Sequence, residues 1–425
     1  MKMIIRLALA ASFVACPLVA AAQDATAAID AVARTEKVRA ALEQVVAMDE
    51  QLVEDLIELT EIPAPPFGEE QRGERFAEML AAAGLTDVMT DTVGNVIGRR
   101  PGRSGERVIA ISAHLDTVFP IDTDVTVRIE GDTYTAPGIG DNTRGLVVLL
   151  GILRAMQATE IETEADVLFI GNVGEEGLGD LRGVKHLFRE GGPRIDTLIA
   201  VDGGGTRRLV WGGVGSHRYR VTFKGPGGHS WSAFGTANPH HALGRAIANF
   251  DNAAPEVTST EPKTSYNIGR IGGGTSINSV PFESWMEVDM RSGSQDKLDA
   301  IDAVLQRAVQ AALREENAAR TEGDPLTVDV ERVGTRPAAK GDAESGLVQR
   351  AAAAIRWTGL EPDLRISSTD ANHPISLGIP AITLSRGGIS SDSHALTESW
   401  ENKDSHLALQ ISMLTLLSEA GLASD

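Results

Sequence analysis

The sequence predicts an α/β protein with a mostly parallel central sheet and a smaller α+β domain inserted into the chain. Short apolar runs alternate with helical segments in the first and last parts of the chain, and this alternation is typical of a parallel sheet. Near residue 212 the pattern changes to half-exposed strands of alternating polarity. The 425 residues, of which 42% are hydrophobic, suffice to bury the cores of two domains.

The first part of the chain begins with helices and continues as alternating strands and helices. Residues 28–60 carry apolar residues at helical spacing, and Pro63 ends the pattern. A second amphipathic helix is predicted at 69–83, before Gly84. Strands are then predicted at 108–112, 167–170 and 198–201, with a helix at 146–156. Since ligands bind beyond the carboxyl ends of parallel strands, the polar residues that follow these strands are candidates for a site.

The inserted domain is expected at 213–325. Its strands are predicted at 218–224 and 284–290, and its helices at 239–250 and 297–313. We expect residues 327–333 to return the chain to the first domain, where 343–420 resume the α/β alternation. The expected organisation is a targeting segment at 1–22, a catalytic domain formed by 23–212 and 326–425, and the inserted domain between its two parts.

Residues 1–22 are typical of an export signal. Basic residues precede an apolar stretch, and the alanines at 20–22 suit cleavage before Gln23. We therefore expect a periplasmic or secreted protein. Cys16 is the only cysteine, so the mature chain has neither a disulfide nor a thiolate metal ligand. The residues before Cys16 resemble a lipoprotein cleavage box only loosely, which makes a lipid anchor there the less favoured alternative.

The charge balance excludes several classes of partner. A formal net charge of −20 argues against binding nucleic acid or an anionic membrane surface through bulk charge. No segment after residue 22 is long and apolar enough to span a membrane. Aromatic residues make up 4% of the chain, which disfavours an extensive stacking platform for sugars or bases.

Acidic and histidine residues follow the predicted strands in a pattern that suits a two-metal hydrolase. The candidates are His114, Asp116, Asp141, Glu175, Glu176, Asp202 and His394. Carboxylate and imidazole side chains are ligands that zinc accepts, and paired ions serve hydrolysis. One of the two adjacent glutamates could bind metal while the other handles the proton of an attacking water.

Each candidate, taken alone, also has a structural explanation. Asp141 precedes a predicted helix, where aspartate is a common N-cap. Asp202 precedes three glycines and could shape a turn. Glu175 and Glu176 could form a solvated acidic loop, and His394 could be a solvated loop residue. Only their combination favours a metal centre.

The order His, Asp, Glu-Glu, Asp, His resembles the M20 family of zinc metallopeptidases over nearly all of the mature chain. The segment at 369–372 and the Gly-Gly-His phrase ending at His229 look most like its tripeptide aminopeptidase-like, or peptidase T-like, branch. The resemblance implies the fold of a zinc-peptidase catalytic domain with an inserted lid and dimerisation domain. It also implies two Zn²⁺ ions, for which Co²⁺ or Mn²⁺ could substitute.

The same resemblance implies a role for each matching residue. Asp141 would bridge the ions, and its peptide bond to Asn142 would be cis. Glu175 would be the general base, and Asp116 would orient His114. The remaining ligands would be His114 and Asp202 for one ion and Glu176 and His394 for the other.

The resemblance makes the inserted domain the lid and the contact surface of a homodimer. His229 would then stabilise the oxyanion of the tetrahedral intermediate from across the dimer interface. Weaker candidates for substrate contact are Asn278, Arg291 and the backbone groups of Gly387 and Gly388. An arginine in this place can hold a carboxylate through two hydrogen bonds.

The leading hypothesis is an exported metal-dependent peptidase of short peptides, an aminopeptidase acting on di- and tripeptides. An N-acyl amino acid deacylase or a carboxypeptidase of the same family is the alternative, because all three cleave an amide. A non-enzymatic binding protein is disfavoured, since the chain retains every ligand and the base. A Ser-His-Asp hydrolase is disfavoured too, since no Gly-x-Ser-x-Gly elbow follows a strand in the required setting.

Overall fold

The computed structural model of the protein describes residues 17–423. Most of the expected export signal, with Cys16, lies outside these residues. Within the described range, no helix combines the length and the apolar character that crossing a membrane requires.

The α-helices and β-strands alternate along much of the chain. The helices are α1 (Pro17–Arg34), α2 (Glu36–Ala47), α3 (Asp49–Thr60), α4 (Glu70–Ala82), α5 (Gly145–Ala158), α6 (Arg182–Leu187), α7 (Pro239–Ala253), α8 (Pro255–Thr258), α9 (Gln295–Ala319), α10 (Gly346–Trp357), α11 (Asn372–Ser376) and α12 (His406–Ala420). The first nine strands are β1 (Asp87–Thr90), β2 (Val96–Arg100), β3 (Val108–His114), β4 (Arg128–Glu130), β5 (Thr133–Thr135), β6 (Asp166–Asn172), β7 (Thr197–Val201), β8 (Arg208–Gly213) and β9 (Gly215–Lys224). The others are β10 (Gly228–His229), β11 (Thr264–Gly273), β12 (Ser279–Val280), β13 (Glu283–Ser292), β14 (Thr327–Arg336), β15 (Asp363–Ser367), β16 (Ala381–Leu384), β17 (Ile389–Ser391) and β18 (Ser399–Glu401).

The single helix expected at 28–60 is three helices. Thr35 has an extended backbone, with φ −61° and ψ 133°, and separates α1 from α2, while Met48 separates α2 from α3. The breaks let the pieces pack on different partners: α1 contacts α10 and α12, whereas α2 and α3 contact α5. Periodicity alone does not reveal such breaks, because each piece keeps the apolar spacing of a helix.

The central sheet has eight strands in the order β1-β2-β6-β3-β7-β16-β8-β15. Its middle strands β6, β3, β7 and β16 are parallel, as is the pair of β15 with β8. β2 runs antiparallel to β1 and β6, and β8 runs antiparallel to β16. The predicted α/β class with a mostly parallel sheet is therefore confirmed.

The central strands are buried on both faces. β3, β6 and β7 are buried along their whole length, as expected of parallel strands covered by helices. Ile109 and Ile111 of β3 join the larger core, to which α5 and α12 also contribute. Ala110, between them, joins a separate core with residues of α6. Layers on both sides therefore fix the ends of these strands, where the polar candidates lie.

A second, antiparallel sheet has the order β11-β13-β9-β14, and α7 and α9 pack on it around their own core. It corresponds to the expected α+β domain, but it extends past the expected boundary at 325. β14 pairs with β9 from Thr327 to Arg336 instead of returning the chain to the first domain. Residues 327–333 have the alternating burial of a strand at the edge of a half-exposed sheet, which places them with β9.

A small third sheet, in the order β17-β18-β5-β4, stands beside the central one. The loop from β17 to β18 carries His394, and β18 contacts the irregular turn Ile139–Arg144 that carries Asp141. The peptide bond between Asp141 and Asn142 is cis, as expected. This sheet therefore brings together two candidates that are distant in the chain.

Candidate metal centre

The central sheet supplies four of the candidates from neighbouring strand ends. His114 is the last residue of β3, Glu175 and Glu176 follow β6, and Asp202 follows β7. Because β6, β3 and β7 are adjacent and parallel, their carboxyl ends lie side by side. The sequence pattern of an apolar strand followed by an acid or a histidine thus converges at one edge of the sheet.

Glu398, in the third sheet, holds Asp141 and His394, two of the other candidates, in place. Its side chain is fully buried. Oε1 accepts hydrogen bonds from the backbone N–H groups of Gly140 (3.0 Å) and Asp141 (2.7 Å). Oε2 accepts from those of Gly138 (3.2 Å) and His394 (3.4 Å). One carboxylate therefore ties the turn that carries Asp141 to the loop that carries His394.

The candidate ligand atoms form two groups that share Asp141. The first site consists of His114, Asp141 and Asp202, and the second site of Asp141, Glu176 and His394. Within each group the ligand atoms lie within 4.8 Å of one another. A further group, His114 with the two glutamates, overlaps both. The shared aspartate is the arrangement that the resemblance implies for two bridged ions.

The chemistry of these groups fits divalent cations. Oδ1 of Asp141 is buried and accepts no hydrogen bond from the described residues. It lies 3.3 Å from Nε2 of His114. In the second site, Nε2 of His394 lies 2.8 Å from Oε1 of Glu176 and 3.5 Å from Oδ2 of Asp141. A buried carboxylate oxygen that accepts no well-aligned hydrogen bond is costly, and a dication would offset this cost.

Asp116 contacts His114 more closely through its main chain than through its side chain. Nδ1 of His114 is 2.9 Å from the main-chain oxygen of Asp116, whereas the nearest carboxylate oxygen is 3.6 Å away. The carbonyl can thus accept the Nδ1 proton and leave Nε2 free to bind metal. The carboxylate of Asp116 instead accepts the backbone N–H groups of Glu175 (3.0 Å) and Glu176 (2.8 Å). Asp116 therefore connects the ligand of β3 to both glutamates after β6.

Glu175, the expected base, is buried against Arg336. Oε1 of Glu175 accepts a hydrogen bond of 2.7 Å from Nη1 of Arg336, and Nη2 of the same arginine contacts the main-chain oxygen of Glu175. Burial raises the pKa of Glu175 well above its ordinary value, although the Arg336 charge opposes this. Arg336 is the last residue of β14, so the second sheet contributes directly to the surroundings of the base.

Arg386 is a second buried arginine at the centre. Its Nη1 forms ion pairs with Oδ1 of Asp141 (3.0 Å) and with Oδ1 of Asp202 (3.2 Å). Burial pushes the pKa of Asp141 up, but Arg386 and the two histidines together hold it well below its ordinary value. Hydrogen bonds to Asp141 and Glu176 raise the pKa of His394 to about 10. The protein's own cations thus already balance part of the acidic cluster.

The centre opens into a cavity of about 310 Å³. The arginines that line it are Arg208, Arg218, Arg291, Arg336 and Arg386. Arg218 and Arg291 both pair with Asp289, at 3.0 and 2.7 Å. Arg291, an expected substrate contact, therefore lines the cavity, but the other four arginines were not among the expected site residues.

The remaining expected substrate contacts do not line this cavity. His229 on β10 and Asn278 beside β12 are exposed on the second domain. Gly387 and Gly388 are buried, and the N–H group of Gly387 donates to the main-chain oxygen of Gly205 at 2.8 Å. The amide of Gly387 thus stabilises the loop after β7 instead of facing a substrate. His229 and Asn278 would need another surface, such as a second copy of the chain, to reach a site.

Known proteins resemble this chain in sequence and in fold. The LysW-lysine/LysW-ornithine hydrolase of Pyrococcus abyssi is 32% identical over 167 residues, which cover 39% of this chain and 44% of that protein. Carboxypeptidase G2 of a Pseudomonas species is 26% identical over 224 residues, 51% of this chain and 52% of that protein. The chain thus matches only about half of the length of these curated relatives.

The fold likeness extends over more of the chain. The aminopeptidase PepT of Bacillus cereus superposes with a TM-score of 0.67 at 22% identity, covering 87% of this chain and 98% of that one. The sequence pattern of peptidase family M20/M25/M40 matches residues 110–420, a range that includes every candidate ligand and the inserted second domain. The protein is thus a member of peptidase family M20/M25/M40, a hydrolase of peptide or amide bonds.

Proposed function

We propose that the protein is an exported hydrolase of short peptides that needs two divalent metal ions and removes the N-terminal residue of di- and tripeptides. The observation that supports this most directly is the pair of ligand groups sharing Asp141. Glu175 stands beside them, buried and outside both groups. Zn²⁺ is the ion proposed, since carboxylate and imidazole ligands suit it.

The residues divide the chemistry between binding and proton transfer. The first and second sites would each hold one ion, and such ions, when bound, polarise a carbonyl and acidify water. Glu175 takes a proton from the attacking water and later gives it to the leaving amine. The burial that raises the pKa of Glu175 strengthens it as a base for the first of these steps. Asp116 keeps this carboxylate beside the ligands by holding the backbone of Glu175.

A second candidate function is favoured by the arginines of the cavity. The carboxylates that line it are Asp141, Glu175, Glu176 and Asp202, each already a predicted ligand or the base. Within the described residues the cavity therefore offers no further carboxylate to bind a free α-amine. Its arginines can hold a substrate carboxylate instead. This favours a carboxypeptidase or an N-acyl amino acid deacylase.

One experiment separates these functions. The Zn²⁺-loaded protein is incubated with a tripeptide, its N-acetylated form and its C-terminal amide, and with an N-acetyl amino acid, and products are identified by mass spectrometry. Release of the N-terminal residue from the free peptide and the amide, but not from the N-acetylated form, supports the aminopeptidase. Cleavage that requires the C-terminal carboxylate supports the carboxypeptidase, and release of acetate supports the deacylase. No cleavage at all, with metal bound and Glu175→Gln as the blank, contradicts a peptidase of short peptides.

We also propose a homodimer formed by the second domain. Trp231, Phe234 and Ile277 expose 87%, 86% and 103% of their surface. The first two follow His229 closely in the chain, and Ile277 precedes Asn278, whose main-chain oxygen accepts the N–H of Ser230. Clustered large apolar side chains mark contact surfaces more often than free ones. A second copy of the chain that covers these side chains would also bring His229 closer to the substrate cavity of that copy. Sedimentation velocity should show a dimer that Trp231→Ser weakens; a monomer at micromolar concentration would contradict the proposal.

Export is proposed from the first 22 residues alone. The measurement is the N-terminal sequence of the protein recovered from a bacterial host that expresses the full chain. A start at Gln23 in the periplasm or medium supports export with cleavage. An intact Met1 in the cytoplasm contradicts it, and a lipid-modified Cys16 supports the anchored alternative.

A further inference from the structure

Arg386 is buried within the first metal site and pairs with two of its carboxylates. The residue follows β16 and is 1% exposed. Its backbone N–H donates to the main-chain oxygen of Gly203 at 3.1 Å, so the start of the side chain is fixed to the loop after β7. Nε is buried and has no hydrogen-bond partner among the described residues. The only charged partners within ion-pair distance in that range are Asp141 and Asp202.

The ion pairs of Arg386 are distributed unequally between the two sites. Asp141 and Asp202 are two of the three groups of the first site, and Nη1 lies between them. In the second site, by contrast, Glu176 and His394 form ion pairs only with each other and Asp141, as far as the described chain shows. The guanidinium thus balances the charge of Asp202, which belongs to the first site alone. It forms no ion pair with Glu176, which belongs to the second site alone.

This difference should make the two sites bind a divalent cation with unequal affinity. A guanidinium keeps its proton in proteins, so its charge remains when a metal ion arrives. The repulsion between it and an ion a few ångströms away is poorly screened in a buried site. The first site also has to share its carboxylate oxygens with an N–H donor, whereas the oxygens of Glu176 face an imidazole that can itself become a ligand.

We propose that Arg386 makes the two metal sites unequal, so that the ion held by His114 and Asp202 binds more weakly than the ion held by Glu176 and His394. The inference rests on the proposed two-metal function. At low metal concentration the protein would hold one ion, in the second site, with Asp141 and Arg386 closing the first. The ion of the first site would exchange with the medium.

A purely positioning role for Arg386 would have the opposite effect on the first site. Arg386 could hold Asp141 and Asp202 in place for the metal, in which case removing it would weaken the first site. Charge repulsion predicts that removing it strengthens that site. The two accounts therefore differ in the direction of a measurable change.

The test is a Zn²⁺ titration of the chelator-stripped protein against a competing chromophoric chelator, with bound metal counted by mass spectrometry. We expect two binding steps whose dissociation constants differ by roughly tenfold or more. His394→Ala should abolish the tight step, and His114→Ala should abolish the weak one. Arg386→Met should bring the two constants together, whereas Arg386→Lys, which keeps the charge, should keep them apart.

Arg208→Met is the matched control, because Arg208 lines the same cavity but pairs with Ser367, which is not a predicted ligand. It should leave both constants unchanged. Equal constants in the wild type, or a weaker first site in folded Arg386→Met, overturn the inference and leave the two-metal function standing. Binding of fewer than two ions at saturation overturns both. If Arg386→Met does not fold, the wild-type constants with the two histidine variants decide.

Discussion

Replacing Glu398 by glutamine should loosen the turn and the loop that carry two of the candidate ligands. The carboxylate accepts four backbone N–H groups, at 2.7, 3.0, 3.2 and 3.4 Å. A glutamine side chain has the same shape but offers one acceptor oxygen, and its NH₂ group would face two N–H donors. If the oxygen keeps the two shorter bonds, the N–H groups of Gly138 and His394 lose their acceptor.

The size of the effect follows from those two lost bonds. A buried donor left without an acceptor costs about 1–3 kcal/mol, and bonds to a charged acceptor are the stronger ones. The bond to His394 is long, so its share lies at the lower end. We therefore expect Glu398→Gln to lower the free energy of unfolding of the metal-free protein by about 2–4 kcal/mol. Affinity for metal at the second site should fall as well, since His394 is no longer held.

Urea denaturation of the stripped protein measures the first quantity, and a Zn²⁺ titration the second. The control is Glu401→Gln, the same chemical change three positions along the chain, since Glu401 shows no side-chain hydrogen bond within the described residues. It should change the free energy of unfolding by less than about 0.5 kcal/mol. If Glu398→Gln behaved like Glu401→Gln in both measurements, the carboxylate would not be what holds the two ligands.

Three further outcomes are expected. Glu175→Gln should keep both ions by mass spectrometry yet lower kcat by about 10²–10⁴-fold, the usual contribution of a general base; wild-type turnover would remove Glu175 from that role. His229→Ala should lower kcat without changing metal content, and loss of metal in this variant would mean a structural role. Burial raises the pKa of Asp370 to about 6, above the 3.8 of an ordinary aspartate, so its ionised form destabilises the fold. Asp370 should therefore contribute a loss of about 3 kcal/mol to the free energy of unfolding of the stripped protein as the pH rises from about 4 to 7, and Asp370→Asn should remove that contribution; the same difference between pH 4 and pH 7 in both proteins would contradict this.

The candidate ligands at the strand ends could be predicted because local pattern determines them. An apolar run such as 167–170 predicts a buried strand, and a parallel sheet brings the ends of its strands together whatever the loops do. The pattern also named Asp141 and His394 as candidates, but their roles as ligands came from the family resemblance, since their turn and loop meet only through the third sheet. The break of the first helix at Thr35 and the pairing of β14 with β9 depend on packing partners that periodicity does not identify.

The buried partners of these ligands could not be predicted from the sequence. Arg336, Arg386 and Glu398 belong to residue types that are mostly exposed, and no local pattern marks a buried member. In the segment around Arg386, the sequence pointed only to Gly387 and Gly388. Its burial results from the meeting of the turn at Asp141 with the loop after β7, which lie far apart in the chain. Contacts of this kind are decided by the tertiary structure.

Asp116 limits how the ligands and the base can change position independently of one another. Its carbonyl positions His114, and its carboxylate positions both glutamates after β6, so a ligand of each site and the base share one anchor. Substitutions at Asp116 and at Glu175 should then combine less than additively, because the first already disturbs what the second removes. The spacing between base and ligand is set by one residue that joins two strand ends. A shift of the outer strands of the central sheet can leave the distance between base and ligand unchanged. A substitution at Asp116, by contrast, alters the positions of the ligand and the base together.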